Sequence, residues 1–545
     1  MRTLLVCLFT LVSSTVLAQP ARIDALMKPW TGTATPGCAV AVIKKGKVAH
    51  AKGYGMADLE RHVPITPSTL FDIGSTSKQF TAATILMLAA EKKLALDDDI
   101  RKYLPELPVL TKKPVTIRHL MHHNGGHRDY MPLLNARGKR VEDVTTARET
   151  VEALARQRGV RFEPGAKFEY SNTGYFLLAQ IAERADKRSM REQVLARIFK
   201  PLGMTTSDVY DDHLRIIRGR AVGYGPNEPS GWRFDTSQWE QTGDGSVNTS
   251  VLELAKWDAH FYDPKIGAGK ALLETQLERG KLADGTVLDY AAGLFHGTHR
   301  GQPTVAHGGA WAGFRSELLR FPALKTSVIV LCNAASSSSS KLALEIADVV
   351  LDEQLGPKPA PPPAATPAPT VTLTPAELDA WVGRYREKLS GEVIAVRRDG
   401  AKLVVEADGV HSLEPTSKQV FRLGPSPFRL EFAGAAPKRT VGLRGPHEEN
   451  YVEVVPYTPS AAEIAALAGR YWSPELSVMW TIRIVNGAAV IDTVTETGVA
   501  LELTSKDEVG NSKSGIGIVI QRGPRGIRGF AIAVESLRGI VFDRL

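Results

Sequence analysis

Residues 71–80 read FDIGSTSKQF, with Ser75, Thr76, Ser77 and Lys78 at the centre. A serine and a lysine three apart share one face of a helical turn, where they can interact. The segment that follows, QFTAATILMLAAEKKLAL, is rich in Ala, Leu and Met and predicts a buried helix. Ser75 then falls at the helix start, where unpaired N–H groups and the dipole favour a developing negative charge. Taken alone, a serine ahead of a helix is more often just an N-cap, and S-x-x-K recurs by chance in long chains.

Two later segments turn this into a constellation. FEPGAKFEYSNTGYFLLAQIAERA carries Tyr170, Ser171 and Asn172 just before a second apolar helix. VAHGGAWAGFRSELLRF carries His307, Gly308 and Gly309 in a strand-like run. In this order and at these spacings, the three elements resemble the signatures of the penicillin-binding protein and serine β-lactamase superfamily. The resemblance is closest to the branch holding class C β-lactamases, D-Ala-D-Ala carboxypeptidases, D-aminopeptidases and related esterases. Framework phrases LALDDDIRKYLPEL, IFKPLGM, GDGSVNTSVLELAKWD and SVIVLCNA agree, so it spans about residues 20 to 355.

The resemblance implies an α/β catalytic domain, an antiparallel sheet flanked by helices, that hydrolyses amide or ester bonds through an acyl-enzyme. Peptides bearing D-amino acids are the favoured substrates, β-lactams and carboxylic esters the alternatives. Ser75 would be the nucleophile, with Lys78, Tyr170 and His307 completing the catalytic set. The N–H groups of Ser75 and Ala310 would hold the oxyanion, each such donor contributing on the order of 10²–10³ in rate. Gly309 would let substrate backbone approach the strand, and Asn172 would hold a substrate amide. A serine hydroxyl needs a base: Lys78 serves only when neutral, and if it stays charged the base is a Tyr170 phenolate. No cofactor is implied. A binding protein that acylates without turnover is the rival reading, but a pure binder has no chemical need for all four groups.

His307 departs from the lactamases of this branch, which usually place a lysine there for the substrate carboxylate. A histidine is mostly neutral at pH 7, which favours peptidases and esterases. Arg315 could replace the missing cation, although it reads more simply as a surface residue. A second departure is LMHHNGGHRDY, where His119, His122, His123 and His127 have helical spacing that invites a zinc site. Gly125 and Gly126 break the helix before His127 and no acidic or cysteine ligand lies nearby, so the reading is no metal and an altered cleft wall.

At 545 residues the chain is too long for one core. Residues 1–18 combine a short positive start, an apolar stretch and a small-residue exit, the pattern of a secretory signal peptide. No later segment is long and apolar enough to span a membrane. Beyond the signal, Cys38 and Cys332 remain: two buried thiols are the favoured reading, an export-side disulfide the alternative. The formal charge of +8 is spread in short patches, which argues against nucleic acid as a partner. The expected partner is a small-molecule or peptide substrate, and the expected location is periplasmic or secreted.

Residues 19–356 thus form the hydrolase domain, and 357–370, PKPAPPPAATPAPT, an extended linker. ELDAWVGRY at 377–385 recurs as EIAALAGRY at 463–471. Each copy runs into alternating segments with Asp-Gly or Asn-Gly turns, which predict antiparallel hairpins. Two small antiparallel β-barrel domains follow, 371–457 and 458–545, with interiors filled by side chains. Their expected role is structural, or to send a loop over the active site.

Overall fold

The computed structural model describes residues 19–358, 371–387, 393–407, 409–424, 426–445, 448–455, 457–511 and 514–545. The predicted signal peptide and nearly all of the linker lie outside the described residues. Two compact units result, one built around a six-stranded sheet and the other around two barrels.

The sheet has its centre in two apolar runs, Cys38–Lys44 (β1) and Thr326–Cys332 (β6), buried almost throughout. Strands Lys47–Tyr54 (β2), Phe295–His299 (β3), Gln302–Trp311 (β4) and Phe314–Phe321 (β5) complete the antiparallel order β3-β4-β5-β6-β1-β2. Continuous rather than alternating apolarity means that both faces are covered. On one face, Cys38, Val40, Val42, Val328 and Val330 pack on Ile346, Ala347 and Val350 of a C-terminal helix.

The other face carries the helices that form the Ser75 region: Lys78–Ala90 (α1), Asn172–Asp186 (α2) and Val251–His260 (α3); the C-terminal helix is Ser339–Val350 (α4). Helix α1 is buried from Lys78 to Leu88 on every side. This is why its sequence is apolar all round instead of striped. Between α3 and β5, Arg320 Nε donates to Asp258 Oδ1 at 2.9 Å, with both side chains out of solvent. Ser327 also donates to Asp258, while Arg320 and the Trp257 indole both donate to Gln79 on α1.

Cys38 stands opposite Cys332 in the β1–β6 register, with Cα atoms 4.0 Å apart, and the two sulfurs are bonded. This corrects the reading as free thiols. Antiparallel pairing puts directly opposed side chains on the same face, within reach of each other.

In the second unit the sequence repeat is a structural repeat. Each copy opens with a capping box, Thr374 with Glu377 and Ser460 with Glu463. A strand follows whose tyrosine donates to the carbonyl four residues back: Tyr385 to Trp381 at 2.8 Å and Tyr471 to Leu467 at 2.6 Å. The first copy closes as an eight-stranded antiparallel barrel. Its interior is filled by side chains such as Leu403, Leu413, Phe421 and Phe432. The second nearly closes: the outer strands of its sheet, Val499–Ala500 and Glu502–Leu503, are consecutive pieces of chain flanking Leu501. Among the described residues no helix is long and apolar enough to cross a membrane.

Candidate active site

Ser75 lies in a 3₁₀ turn, Gly74–Ser77, that runs directly into α1. In a 3₁₀ turn residues three apart are eclipsed, so Lys78 stands directly beneath Ser75 on the same face. Gly74 has φ +48°, and a β-carbon there would come within 3.0 Å of Ala310 N. A glycine is therefore required by both the left-handed backbone and the close approach of β4. Asp72 accepts from Gly74 N at 2.8 Å and holds the turn from behind.

Lys78 Nζ donates to Ser75 Oγ at 3.0 Å, to Asn172 Oδ1 at 3.0 Å and to the Asp244 carbonyl at 2.8 Å. It also lies 5.0 Å from the centre of the Tyr170 ring. The Tyr170 hydroxyl is buried with no hydrogen-bond partner. Its ring leans on His123, 4.2 Å between centres, and stacks on Phe295. The Asn172 main-chain N–H donates to Asp129 at 2.7 Å, and Nδ2 lies 3.6 Å from the Met131 sulfur.

His307 is buried on β4, with Nε2 3.1 Å from the Tyr290 hydroxyl and Nδ1 2.6 Å from the Gly308 carbonyl. Burial, and then the charge of Lys78, push it down to about 3, so the ring is neutral. A β-carbon on Gly309 would lie 2.0 Å from the Ile73 carbonyl oxygen and 2.9 Å from Ser75 N. The bare strand thus lies against the Ser75 turn, with Ala310 beside Gly74 and Ser75 beside Gly309. Thr76 and Ser316 fasten this contact. Thr76 Oγ1 donates to the His307 carbonyl at 3.0 Å and lies 2.9 Å from Ser316 Oγ, and Ser316 donates to the Ile73 carbonyl at 2.7 Å.

All seven residues expected from the sequence are therefore brought together: Lys78 lies beneath Ser75, and Ser75, Tyr170, Asn172, His307, Gly309 and Ala310 line one cleft of about 580 Å³. Arg315 lines the same cleft, half-buried, with Nη1 donating to the Ala312 and Phe314 carbonyls. This corrects its reading as a surface residue; pairing across β4–β5 turns it inward opposite Ala310.

Several groups escaped the sequence reading. Asp244 and Tyr130 line the cleft, Tyr130 donating to Asp244 Oδ2 at 2.9 Å. Burial raises Asp244 to about 6 against the opposing pull of Lys78. Behind Gly308, Glu317 accepts from Ser340, and burial lifts it to about 7. Only the phrase GDGSVNTS hinted at any of them, and it did not mark Asp244.

The four histidines do not share a helical face. The helix Ile117–Met121 ends before His122, one turn earlier than Gly125 and Gly126 suggest. His119 closes a capping box with Thr116, and His123 accepts from Ser171 N at 3.1 Å while forming the wall beside Tyr170. Burial keeps His122 and His127 neutral, at about 4. Among the described residues the sole grouping with metal-ligand spacing is Asp212, His213 and Glu240.

Comparison with known proteins agrees with this architecture. D-aminopeptidase from Gluconobacter oxydans is 32% identical over 318 residues, covering 58% of this chain and 59% of that protein, which it therefore spans only in part. Penicillin-binding protein 4* from Bacillus subtilis is 29% identical over 406 residues, 71% of this chain and 88% of its own. The octameric penicillin-binding protein homologue from Pyrococcus abyssi has the same fold, with a TM-score of 0.57 at 24% identity, over 80% of this chain and 99% of that one. The pattern of the family described as Beta-lactamase matches residues 21–351, well over half of the chain. The chain belongs to the Beta-lactamase family.

Proposed function

We propose that the protein is an exported hydrolase that cleaves amide or ester bonds through an acyl-enzyme on Ser75, acting on amides and peptides that bear D-amino acids. The observation that carries this reading is the set of partners around Lys78. Asn172 Oδ1 and the Asp244 carbonyl can only accept, so they take two of its N–H groups. The third direction faces the Ser75 hydroxyl, which can also donate. Lys78 Nζ is thus hydrogen-bonded to Ser75 Oγ and is placed to exchange a proton with it.

Ser75 Oγ then bonds to the substrate carbonyl carbon, and the electron pair shifts to oxygen, where the N–H groups of Ser75 and Ala310 receive it. As the tetrahedral intermediate collapses, the bond to the leaving nitrogen or oxygen breaks and that atom takes the proton from Lys78, directly or through Tyr170. Water, deprotonated by the same base, cleaves the ester and restores Ser75.

With its ring neutral, His307 gives a substrate carboxylate beside β4 no charge to pair with. This supports aminopeptidase-like or amidase-like action over D-Ala-D-Ala carboxypeptidase and β-lactamase action. The D-aminopeptidases among the relatives support the same class. The Cys38–Cys332 bond supports export, because such bonds persist in oxidising compartments. A removed leader at 1–18 and domain limits of 19–356, 371–457 and 458–545 belong to this proposal.

The test is ammonia release from D-alaninamide and L-alaninamide by the mature protein and by Ser75→Ala. Release that favours the D-isomer and vanishes in Ser75→Ala supports the reading. Equal rates with both proteins, or preference for the L-isomer, overturns it.

A further inference from the structure

Asp244 is a buried carboxylate inside the cleft whose two oxygens are treated differently. Oδ2 is held by the Tyr130 hydroxyl at 2.9 Å, which fixes the plane of the group. Oδ1 is buried and has no hydrogen-bond partner. Among the described residues no lysine, arginine or histidine forms an ion pair with it. Lys78 is bound to the Asp244 carbonyl, not the carboxylate. A buried carboxylate oxygen without a donor is costly unless something fills the gap, and the residue that carries this one lines the cleft.

Its position narrows the ligand. The Asp244 main chain is joined to Ser75 Oγ through a single atom, Lys78 Nζ. In an aminoacyl substrate the α-nitrogen lies only about 2.5 Å from the carbonyl carbon under attack. A group that recognises that nitrogen must therefore stand this close to the nucleophile. Asp244 shares this corner of the cleft with Asn172, whose Oδ1 is bonded to the same Lys78 nitrogen.

We propose that Asp244 Oδ1 binds the α-ammonium group of the substrate, so that the acyl side of the cleft selects an unblocked N-terminal D-residue over an N-acylated one. This rests on the reading of the cleft as a D-aminoacyl hydrolase site and adds its selectivity. Asp244 contributes a charge-assisted hydrogen bond to the bound acyl group and takes no proton from the reacting atoms. Tyr130 acts on it as a positioning residue.

The experiment compares kcat/KM for D-alanine p-nitroanilide with that for propionyl p-nitroanilide, which has the same carbon chain but no ammonium, in the wild type and in Asp244→Asn. Asparagine keeps an acceptor for Tyr130 and removes the charge. The wild-type enzyme should favour the ammonium substrate, and Asp244→Asn should cut that preference by about tenfold or more. A variant that slows both substrates equally would mean that Asp244 acts only through Lys78, and overturns the proposal. Should Asp244→Asn fail to fold, the wild type alone decides: equal hydrolysis of D-alanine p-nitroanilide and its N-acetyl derivative overturns the proposal, and rejection of the blocked substrate supports it. If D-alaninamide yields no Ser75-dependent ammonia at all, it is the underlying reading that has failed, not the choice of Asp244.

Discussion

The carbonyl oxygen of Ile73 occupies the space beside Gly309 so closely that a β-carbon there would lie 2.0 Å away. Two segments far apart in sequence, the Ser75 turn and strand β4, meet backbone to backbone at this point. At Gly308, one residue earlier, a β-carbon would meet the side-chain ends of Glu317, at 2.7 Å, and Ser340, at 3.3 Å, with backbone no nearer than the Ser316 carbonyl oxygen at 3.4 Å. Gly309→Ala should therefore push β4 off the turn and lower kcat/KM by about a hundredfold, whereas Gly308→Ala needs only a side-chain adjustment and should cost far less. Steady-state kinetics of the two variants, with equal folding verified by thermal melts, checks this; similar losses would refute the geometric account.

Replacing the neutral His307 with lysine puts a cation on β4 itself, next to the Gly308–Ala310 stretch. His307→Lys should raise turnover of a carboxylate-bearing cephalosporin relative to D-alaninamide by about tenfold. The readout is the ratio of the two kcat/KM values, so that a general loss of activity does not obscure the change. Because the wild-type ring protonates only near pH 3, the wild-type pH profile should show no step from His307 between pH 5 and 8.

Glu317 carries a pH signature of its own. Its carboxyl ionises near 4.5 in the unfolded chain but near 7 in the fold, because burial opposes the charge. Between those values the folded state binds the extra proton, so stability falls as pH rises from 4.5 to 7 and the loss is constant above 7. Relative to Glu317→Gln, the wild type should lose on the order of 3 kcal/mol across that window. Denaturant unfolding at pH 4.5, 6 and 8 tests this, and parallel curves for the two proteins would contradict it.

The Arg320–Asp258 pair is the most deeply buried ion pair between the helices and the sheet. Arg320→Met strands the Asp258 charge and should destabilise the fold by about 3–5 kcal/mol. Adding Asp258→Asn should recover much of that loss, since the penalty is an unpaired charge and not an empty space. Chemical denaturation of the single and double variants distinguishes the two causes.

What could be read from the chain was local. Ser75 and Lys78 lie within one turn, and backbone geometry alone stacks residues three apart. The apolar run after them is a helix buried on every side, and the copies at 377–385 and 463–471 fold alike because each carries its own capping box and tyrosine latch. Tyr170, Asn172 and His307 were legible only because their order resembled a known family; nothing in their own segments points them at Lys78. The tertiary structure alone decided the rest. The sheet register opposed Cys38 to Cys332 across 294 residues of sequence, and the cleft that Arg315 lines is assembled from segments far from its own hairpin. It also placed Asp244 and Glu317 in or behind the cleft, because the environment that makes a carboxylate unusual is built by distant segments and leaves no mark on its sequence neighbours. The histidines of LMHHNGGHRDY show the same limit: helical spacing suggested a shared face, but the helix stops at Met121 and the rings go to separate packing sites.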